Sequence, residues 1–501
     1  MAWGLLDTIV LGLYLVVILA IGLWAGRRQR DTTDYFLGGR RQHWLIVGLS
    51  IVATEVSAAT FILVPAEAFG ADWTYLQMYA GAIVGKMLIV YFLLPAFYGS
   101  SVTTVYEYLG RRFGTSTRTT ATILFFASRI VGSGIRLLAA AIAISALFDW
   151  SLPFVIIGVA GMAVAYTTFG GIKAIIWTDA VQAIVFLLGG AVAVGFLFYS
   201  IPGSWSENLT TAYDAGKLHT FTWDWNPNNQ KAFWVLLIHA TVMNMAALGT
   251  DQDLTQRMLT CPDLRRGQRS LIFNTFVGLP VVCLFLLVGT LLYVYYQSAA
   301  GAADTDAASQ GQSIFPHFIA TAFPSGYGLR GLLVAGIFAA AMSSLDSALG
   351  ALSSTAVTDI YRVFIKPSAD ERHYLRVARL ASLLFGVLLA SVALAFIGYD
   401  ELLWETFKWA SLVFGGLLGI FLLGVTTKTR GRDITNVVAM ISSVVLLGLL
   451  KWWQDETGTV IIAFPWWVVL GTAWTYVFGI CFRPWPHQDA RDPNSQPCGT
   501  K

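Results

Sequence analysis

Charge is scarce in this chain of 501 residues. Asp, Glu, Lys and Arg make up only 12% of it, against about 25% in an ordinary soluble domain, which excludes the water-soluble globular class. Cysteine is scarce too. Cys261, Cys283, Cys481 and Cys498 fall at spacings that match neither a zinc site nor a disulfide framework, so they read as ordinary small residues. No GxxxxGK[ST] phosphate loop occurs, which argues against ATP-driven transport from within this chain. No nucleophile–base motif or metal-ligand cluster falls inside the apolar runs, so an enzyme is not expected. Nor is any polar stretch long enough to fold alone. The longest, 201–231 and 299–328, hold about 30 residues each, too few for an independent core.

What remains is apolar. Hydrophobic residues make up 56% of the chain and mean hydropathy is +0.65, the composition of a polytopic membrane protein. A helix needs about 20 apolar residues to cross the hydrocarbon core. Thirteen such runs are predicted, at 4–26, 45–70, 75–99, 119–148, 152–169, 173–200, 232–257, 270–298, 329–358, 376–398, 404–427, 434–452 and 462–482. The first is expected to be a retained helix: it lacks a basic leader and a cleavage motif, and it is too long for a signal core. Basic clusters at 26–41, 110–118, 256–269, 361–376, 428–432 and beyond Phe482 all fall on one side when the runs alternate. The positive-inside rule therefore puts the N-terminus outside and the C-terminus in the cytoplasm. The Ala/Gly/Ser-rich segment 299–313 is expected to be a flexible outer loop, and the polar tail 483–501 to be disordered.

Charged side chains at bilayer depth cost roughly 2.5–3.5 kcal/mol each on insertion scales. Those present need reasons: Glu55, Lys86, Arg129, Arg136, Asp179 and Asp346. In "AAAMSSLDSALGALSS" (339–354), Ala340, Ser343, Ser344 and Ser347 follow i, i+3, i+4, i+7 spacing and share one helical face, with Asp346 at its edge. Hydroxyl and carboxylate oxygens there suit a small hard cation; serines also serve simply to let helices pack closely. Asp179 either satisfies a neighbouring helix N-terminus or joins the cation path of Asp346.

Two apolar segments carry helix-weakening residues. One is "IVATEVSAATFILVP" (51–65), with Glu55, Ser57, Thr60 and Pro65; the other is "ATVMNMAALGTDQ" (240–252), with Asn244, Gly249 and Asp251. Paired interruptions in two halves of a chain point to a transporter site at an inverted-repeat interface, although Gly and Asn alone give only kinks. Arg129 and Arg136 stand seven apart on one face. They either neutralise Glu55 or grip an anionic solute, for which the guanidinium fork is suited. Lys86 either snorkels or faces a cavity.

These segments resemble the sodium:solute symporter family, which includes the sodium–glucose, sodium–proline and sodium–sialic acid transporters. The likeness runs from "DYFLGGR" (34–40) to the last basic loop. Its most specific pieces, in order, are "YTTFGGIKAIIWTDAVQ" (166–182), "GTDQDLTQRMLT" (249–260) and "AAAMSSLDSALGALSSTAVTDIYR" (339–362). The resemblance implies an all-α membrane fold with a leucine-transporter-like core of five plus five inverted helices. An extra helix would lie at 4–26, the first repeat at 45–200, the second at 232–427, two further helices at 434–482 and a cytoplasmic tail at 483–501.

The resemblance also implies a sodium ion held by the backbone carbonyls of Ala53, Val56 and Ala340 and the hydroxyls of Ser343 and Ser344. Some members hold a second sodium, and Asp179, Ser343 and Ser347 match its positions. Asp346 departs from that pattern, standing where a serine would be expected. The added carboxylate either strengthens a second sodium site or is kept neutral by a proton. Asn244 matches the sixth-helix asparagine of galactose-binding members. Thr60, however, stands in place of their glutamine and Tyr79 in place of their acid, and 270–298 contains no lysine. The neutral-hexose pocket is therefore not reproduced. Sialic acid transporters use a third-helix arginine with serine and threonine on the broken first helix, roles open here to Arg129 or Arg136 with Ser57 and Thr60.

The implied protein is a multi-pass cell-membrane symporter importing a small organic solute: a sugar, sugar acid or carboxylate. Its coupling ion is sodium, one or two per cycle, and its surroundings are lipid rather than nucleic acid. Glu55 in the same region argues for a cationic or zwitterionic group on the solute. The alternatives are a proton-coupled carrier of the same fold, with Asp179 and Asp346 as relay, and a transport-inactive solute sensor.

Overall fold

A computed structural model of the chain describes residues 3–26, 29–56, 58–298, 301, 311, 313–398 and 402–483. Ser57, the tail after Arg483 and most of 299–313 lie outside the described residues. All regular structure among the described residues is helical. The long helices are α1 (Leu5–Ala25), α2 (Trp44–Glu55), α3 (Ala58–Gly70), α4 (Gln77–Leu88), α5 (Thr115–Phe148), α6 (Leu152–Ser200) and α7 (Phe233–Gly249). They continue with α8 (Gln252–Leu259), α9 (Leu264–Gln297), α10 (Leu329–Thr355), α11 (Glu371–Ala395), α12 (Leu402–Thr426), α13 (Asp433–Thr457) and α14 (Pro465–Ile480).

Among the described residues, nine helices are long and apolar enough to cross a membrane, and two bent pairs raise this to eleven. One of the nine, α6, has 49 residues. That is about 73 Å of helix, more than twice the ~30 Å hydrocarbon core. It turns at Gly171 and so supplies both runs expected at 152–169 and 173–200. The 16-residue α14 is shorter than a usual span and packs along α12. Each of the thirteen apolar runs is thereby matched by helix.

The turn in α6 is specific to its glycine. Gly171 has φ 56° and ψ −158°, a conformation almost confined to glycine. A Cβ there would lie 2.7 Å from the Tyr35 carbonyl oxygen. Breaking a helix strands carbonyls, and two side chains collect them. Gln29 Nε2 donates to Gly170 O at 2.6 Å, and Tyr35 OH donates to Thr168 O at 3.1 Å.

The centre of the molecule is α10. Every residue from Leu333 to Thr355 is buried, because α6, α5, α1 and α11 surround the helix. Its many Ala, Gly and Ser residues let those neighbours approach closely. Its hydroxyls and Asp346 therefore meet protein rather than lipid. By contrast α1 looks outward, with Leu5, Leu13, Val16 and Trp24 more than half exposed.

Two spans are broken, as expected. α2 and the Thr60–Gly70 part of α3 meet at 54°, and α7 meets α8 at 62°. Val56 leaves the first helix at φ −83°, ψ 78°. In the second break Asp251 restarts the helix, its carboxylate accepting the Asp253 N–H at 2.9 Å as an N-cap.

Gly171→Ala is expected to cost about 1–3 kcal/mol from backbone strain, with the Tyr35 carbonyl clash added. The readout is a lower thermal midpoint of the detergent-purified protein. An unchanged midpoint would contradict the glycine requirement at this turn.

Candidate functional site

The first broken helix brings oxygen to the centre of the molecule. Because α2 ends at Glu55, its last carbonyls have no amide one turn ahead, and the helix dipole adds partial negative charge there. The Ala53 carbonyl accepts Ser343 Oγ, on α10, at 3.1 Å. Ser343 Oγ is also 3.3 Å from Ala340 O, and Ser344 Oγ donates to Ala340 O at 3.1 Å. These are four of the five oxygens expected around the first sodium, gathered in one cluster. Val56, the fifth residue, is the first beyond the helix, its N–H still on Val52 O at 2.9 Å. The donors are all neutral oxygens, which fits a hard monovalent ion. Among the described residues, no group of three or more His, Cys, Asp and Glu is placed to hold a metal.

One turn along α10, an arginine joins four helices. Arg257, on α8, is 1% exposed. Its Nη2 lies 2.9 Å from Asp179 Oδ2 on α6 and contacts Ser347 Oγ on α10. Its Nη1 is 2.7 Å from Asp253 Oδ1, and its Nε donates to Ser50 Oγ on α2 at 2.8 Å. Ser50 Oγ donates in turn to Asp179 Oδ2 at 2.6 Å. On α5, Arg129 pairs with Asp251 at 3.2 Å and with Asp253. Among the described residues, Asp346 receives only neutral donors, Tyr166 OH at 2.6 Å and Ser347 Oγ at 3.3 Å.

This network bears on two expectations. Beside Asp179 and Ser347, two of the residues expected around a second sodium, lies a guanidinium of the chain itself. Arg129 is committed to two carboxylates, so it neither neutralises Glu55 nor stands free for a solute. By sequence Arg257 belongs to the basic cluster 256–269, which hides it. The signal that separates it is Asp253 one helical turn earlier.

Glu55 pairs instead with Lys86 on α4, whose Nζ lies 2.8 and 2.9 Å from the two carboxylate oxygens. Lys86 neither snorkels nor stands alone. Its ammonium lies 5.7 Å from the centroid of the buried Tyr79 ring, a cation–π distance. Asn244, beside the second break, donates from Nδ2 to Ala240 O at 2.9 Å, and Thr60 is half-buried on α3. Arg136 differs from all of these. It is half-buried and, among the described residues, its guanidinium has no ion pair or hydrogen bond.

An all-helical membrane fold whose broken helices frame an oxygen-lined ion position defines an ion-coupled secondary transporter. The family model of the sodium:solute symporter family matches residues 35–431. The chain belongs to that family and is a sodium-coupled secondary active transporter. It is 30% identical over 459 residues to the sodium/sialic acid symporter SiaT of Proteus mirabilis, covering 90% of this chain and 91% of that one. It is 28% identical over 492 residues to the sodium/sialic acid symporter NanT of Aliivibrio fischeri, covering 96% and 94%. The substrate-bound outward-open structure of a Na+-coupled sialic acid symporter superposes with a TM-score of 0.86 at 28% identity, over 96% of this chain and 98% of that one. Mhp1, a nucleobase-cation-symport-1 family transporter in a closed conformation, gives 0.58 at 14% identity over 88% and 92%, a likeness of fold alone.

Removing one partner of a buried ion pair typically costs about 3–5 kcal/mol. Arg257→Gln, which strands Asp179 and leaves Asp253 to Arg129 alone, is expected to lose that much stability by thermal unfolding. Ser347→Ala keeps both ion pairs and is expected to lose about 1 kcal/mol. Equal small losses in the two variants would contradict the clamp.

Proposed function

We propose that this transporter imports a small hydroxylated carboxylate of the sugar-acid class, with one sodium ion per cycle, by alternating access across the cell membrane. The observation that carries this reading is the guanidinium of Arg136, which has no ion pair or hydrogen bond among the described residues. A membrane-embedded cation without a partner is costly, and a solute carboxylate is the anion that a guanidinium fork fits best. Sialic acid, the solute named for the two bacterial relatives, is of this class. Ser57 and Thr60 at the first break and Asn244 near the second supply neutral polar groups to the solute's hydroxyls. The inverted repeats are assigned to 45–200 and 232–427, flanked by 4–26 and 434–482, with the N-terminus outside and the C-terminus in the cytoplasm.

Sodium joins the carbonyls of Ala53, Val56 and Ala340 to the hydroxyls of Ser343 and Ser344, holding the broken first helix against α10. A conformation with that cluster closed binds the ion better than one with α2 swung away. Such a difference in affinity is all that coupling requires. A membrane potential negative inside adds about 2.3 kcal/mol per charge per 100 mV. Arg257 supplies a tethered positive charge at the second cation position, so one sodium suffices. The solute crosses chemically unchanged, and no residue acts as a catalyst.

In proteoliposomes, an inward sodium gradient is expected to drive sugar-acid uptake, and equimolar choline to abolish it. Arg136→Gln should raise the solute KM roughly 10- to 100-fold, the worth of a charged hydrogen-bonded contact, with little change in the sodium dependence. Uptake that follows a pH gradient and ignores sodium would transfer the coupling to protons.

A further inference from the structure

Glu55 and Lys86 take no part in the sodium cluster or in the Arg257 network. They nevertheless place a full carboxylate at the end of α2, beside the break assigned to the solute's hydroxyls. Lys86 is 0% exposed, whereas the Glu55 side chain keeps 22% of its surface open. The ammonium reaches both carboxylate oxygens, at 2.8 and 2.9 Å, and lies near the face of Tyr79. The helix that carries it is tightly seated. A Cβ on Gly81 or Gly85 of α4 would lie 2.3 Å from Leu237 O or 2.6 Å from Thr241 O on α7. The lysine is thus held in place, and the pair is electrically neutral as built.

We infer that the Glu55–Lys86 pair is a charge filter for the solute, accepting hydroxyl donors and rejecting ammonium groups. This rests on the sugar-acid reading above and narrows it to hydroxylated monocarboxylates without a free amine. Each carboxylate oxygen keeps a lone pair beyond the one that faces Lys86. A solute hydroxyl gains a charge-assisted hydrogen bond there and leaves the charge balance untouched. A solute ammonium would instead bring a second cation close to Lys86, where a low dielectric magnifies repulsion. Losing either partner changes the local charge by one unit. Losing both restores neutrality but removes the acceptor.

The test is sodium-driven uptake into proteoliposomes of sialic acid, gluconate, serine and malate by the parent, Lys86→Met, Glu55→Gln and the double variant. The parent is expected to prefer the two hydroxy acids over serine by roughly tenfold or more. Lys86→Met should narrow that gap about tenfold by admitting serine, and Glu55→Gln should admit the dicarboxylate malate. The double variant should again reject serine and malate while binding the hydroxy acids about tenfold more weakly. If the single variants fail to fold, the double variant, which buries no unpaired charge, still decides: undiminished affinity for hydroxy acids overturns the filter. Serine uptake by the parent equal to that of gluconate, or ratios that stay the same in all four proteins, overturns it as well. Should the parent take up serine but neither hydroxy acid, the sugar-acid reading itself falls.

Discussion

The Ala53 carbonyl has lost its helix, and the centre of this molecule is arranged around that fact. A carbonyl inside a membrane protein needs a donor or a cation, and Ala53 lies in the last turn of α2, which ends at Glu55. The nearest partner is Ser343 on α10, at 3.1 Å. That hydroxyl can be there only because α10 is enclosed by protein on every side. Full enclosure in turn requires the small residues of α10, the doubled path of α6 past it and the turn at Gly171 that lets α6 double back. An interrupted helix, a hydroxyl-rich helix and a glycine turn far along the chain are thus parts of one arrangement.

Charge is handled with equal economy. Asp179, Asp251 and Asp253 are shared between two arginines, Arg129 and Arg257, and Glu55 has its own lysine. The ion-pair network joins α8, the second half of a broken span, to α5 and α6, while the Ser347 hydroxyl ties in α10 and Ser50 ties in α2. Both broken spans are consequently anchored to the same neighbours, α6 and α10. A cation that strengthens one anchor acts on elements the other anchor also holds, which is a physical route for ion and solute to influence each other. Among the described residues, Arg136 is a half-buried cation with neither an ion pair nor a hydrogen bond, as Asp346 is a buried carboxylate met by neutral donors.

Much of this was legible in the sequence, and what was not has a common cause. Runs of apolar residues announce helices through their length alone, and the breaks near Glu55 and Gly249 show as Ser, Thr, Pro and Gly inside such runs. The serine face of α10 follows from helical spacing. Pairing between distant charges has no such local signature. Glu55 finds Lys86 31 positions away, and Arg257 reaches Asp179 across 78. A basic loop cluster conceals Arg257, because composition averages a buried arginine with exposed neighbours. Arg129 and Arg136 share a helical face and a residue type. Only the positions of Asp251 and Asp253 tell them apart, and those depend on where the second break sets the start of α8.

The central claim is that the oxygens of Ala53, Ala340, Ser343 and Ser344 form a sodium site. It is tested most directly by thermal unfolding of the purified protein in sodium against equal choline at constant ionic strength, for the parent and Ser344→Ala. Binding to the folded state adds RT ln(1 + [L]/Kd), about 1.4–2.7 kcal/mol at ten- to hundredfold saturation. The account predicts a sodium-specific rise in the parent's midpoint that the alanine variant lacks. Identical midpoints in the two salts, or a rise that survives in Ser344→Ala, would contradict it.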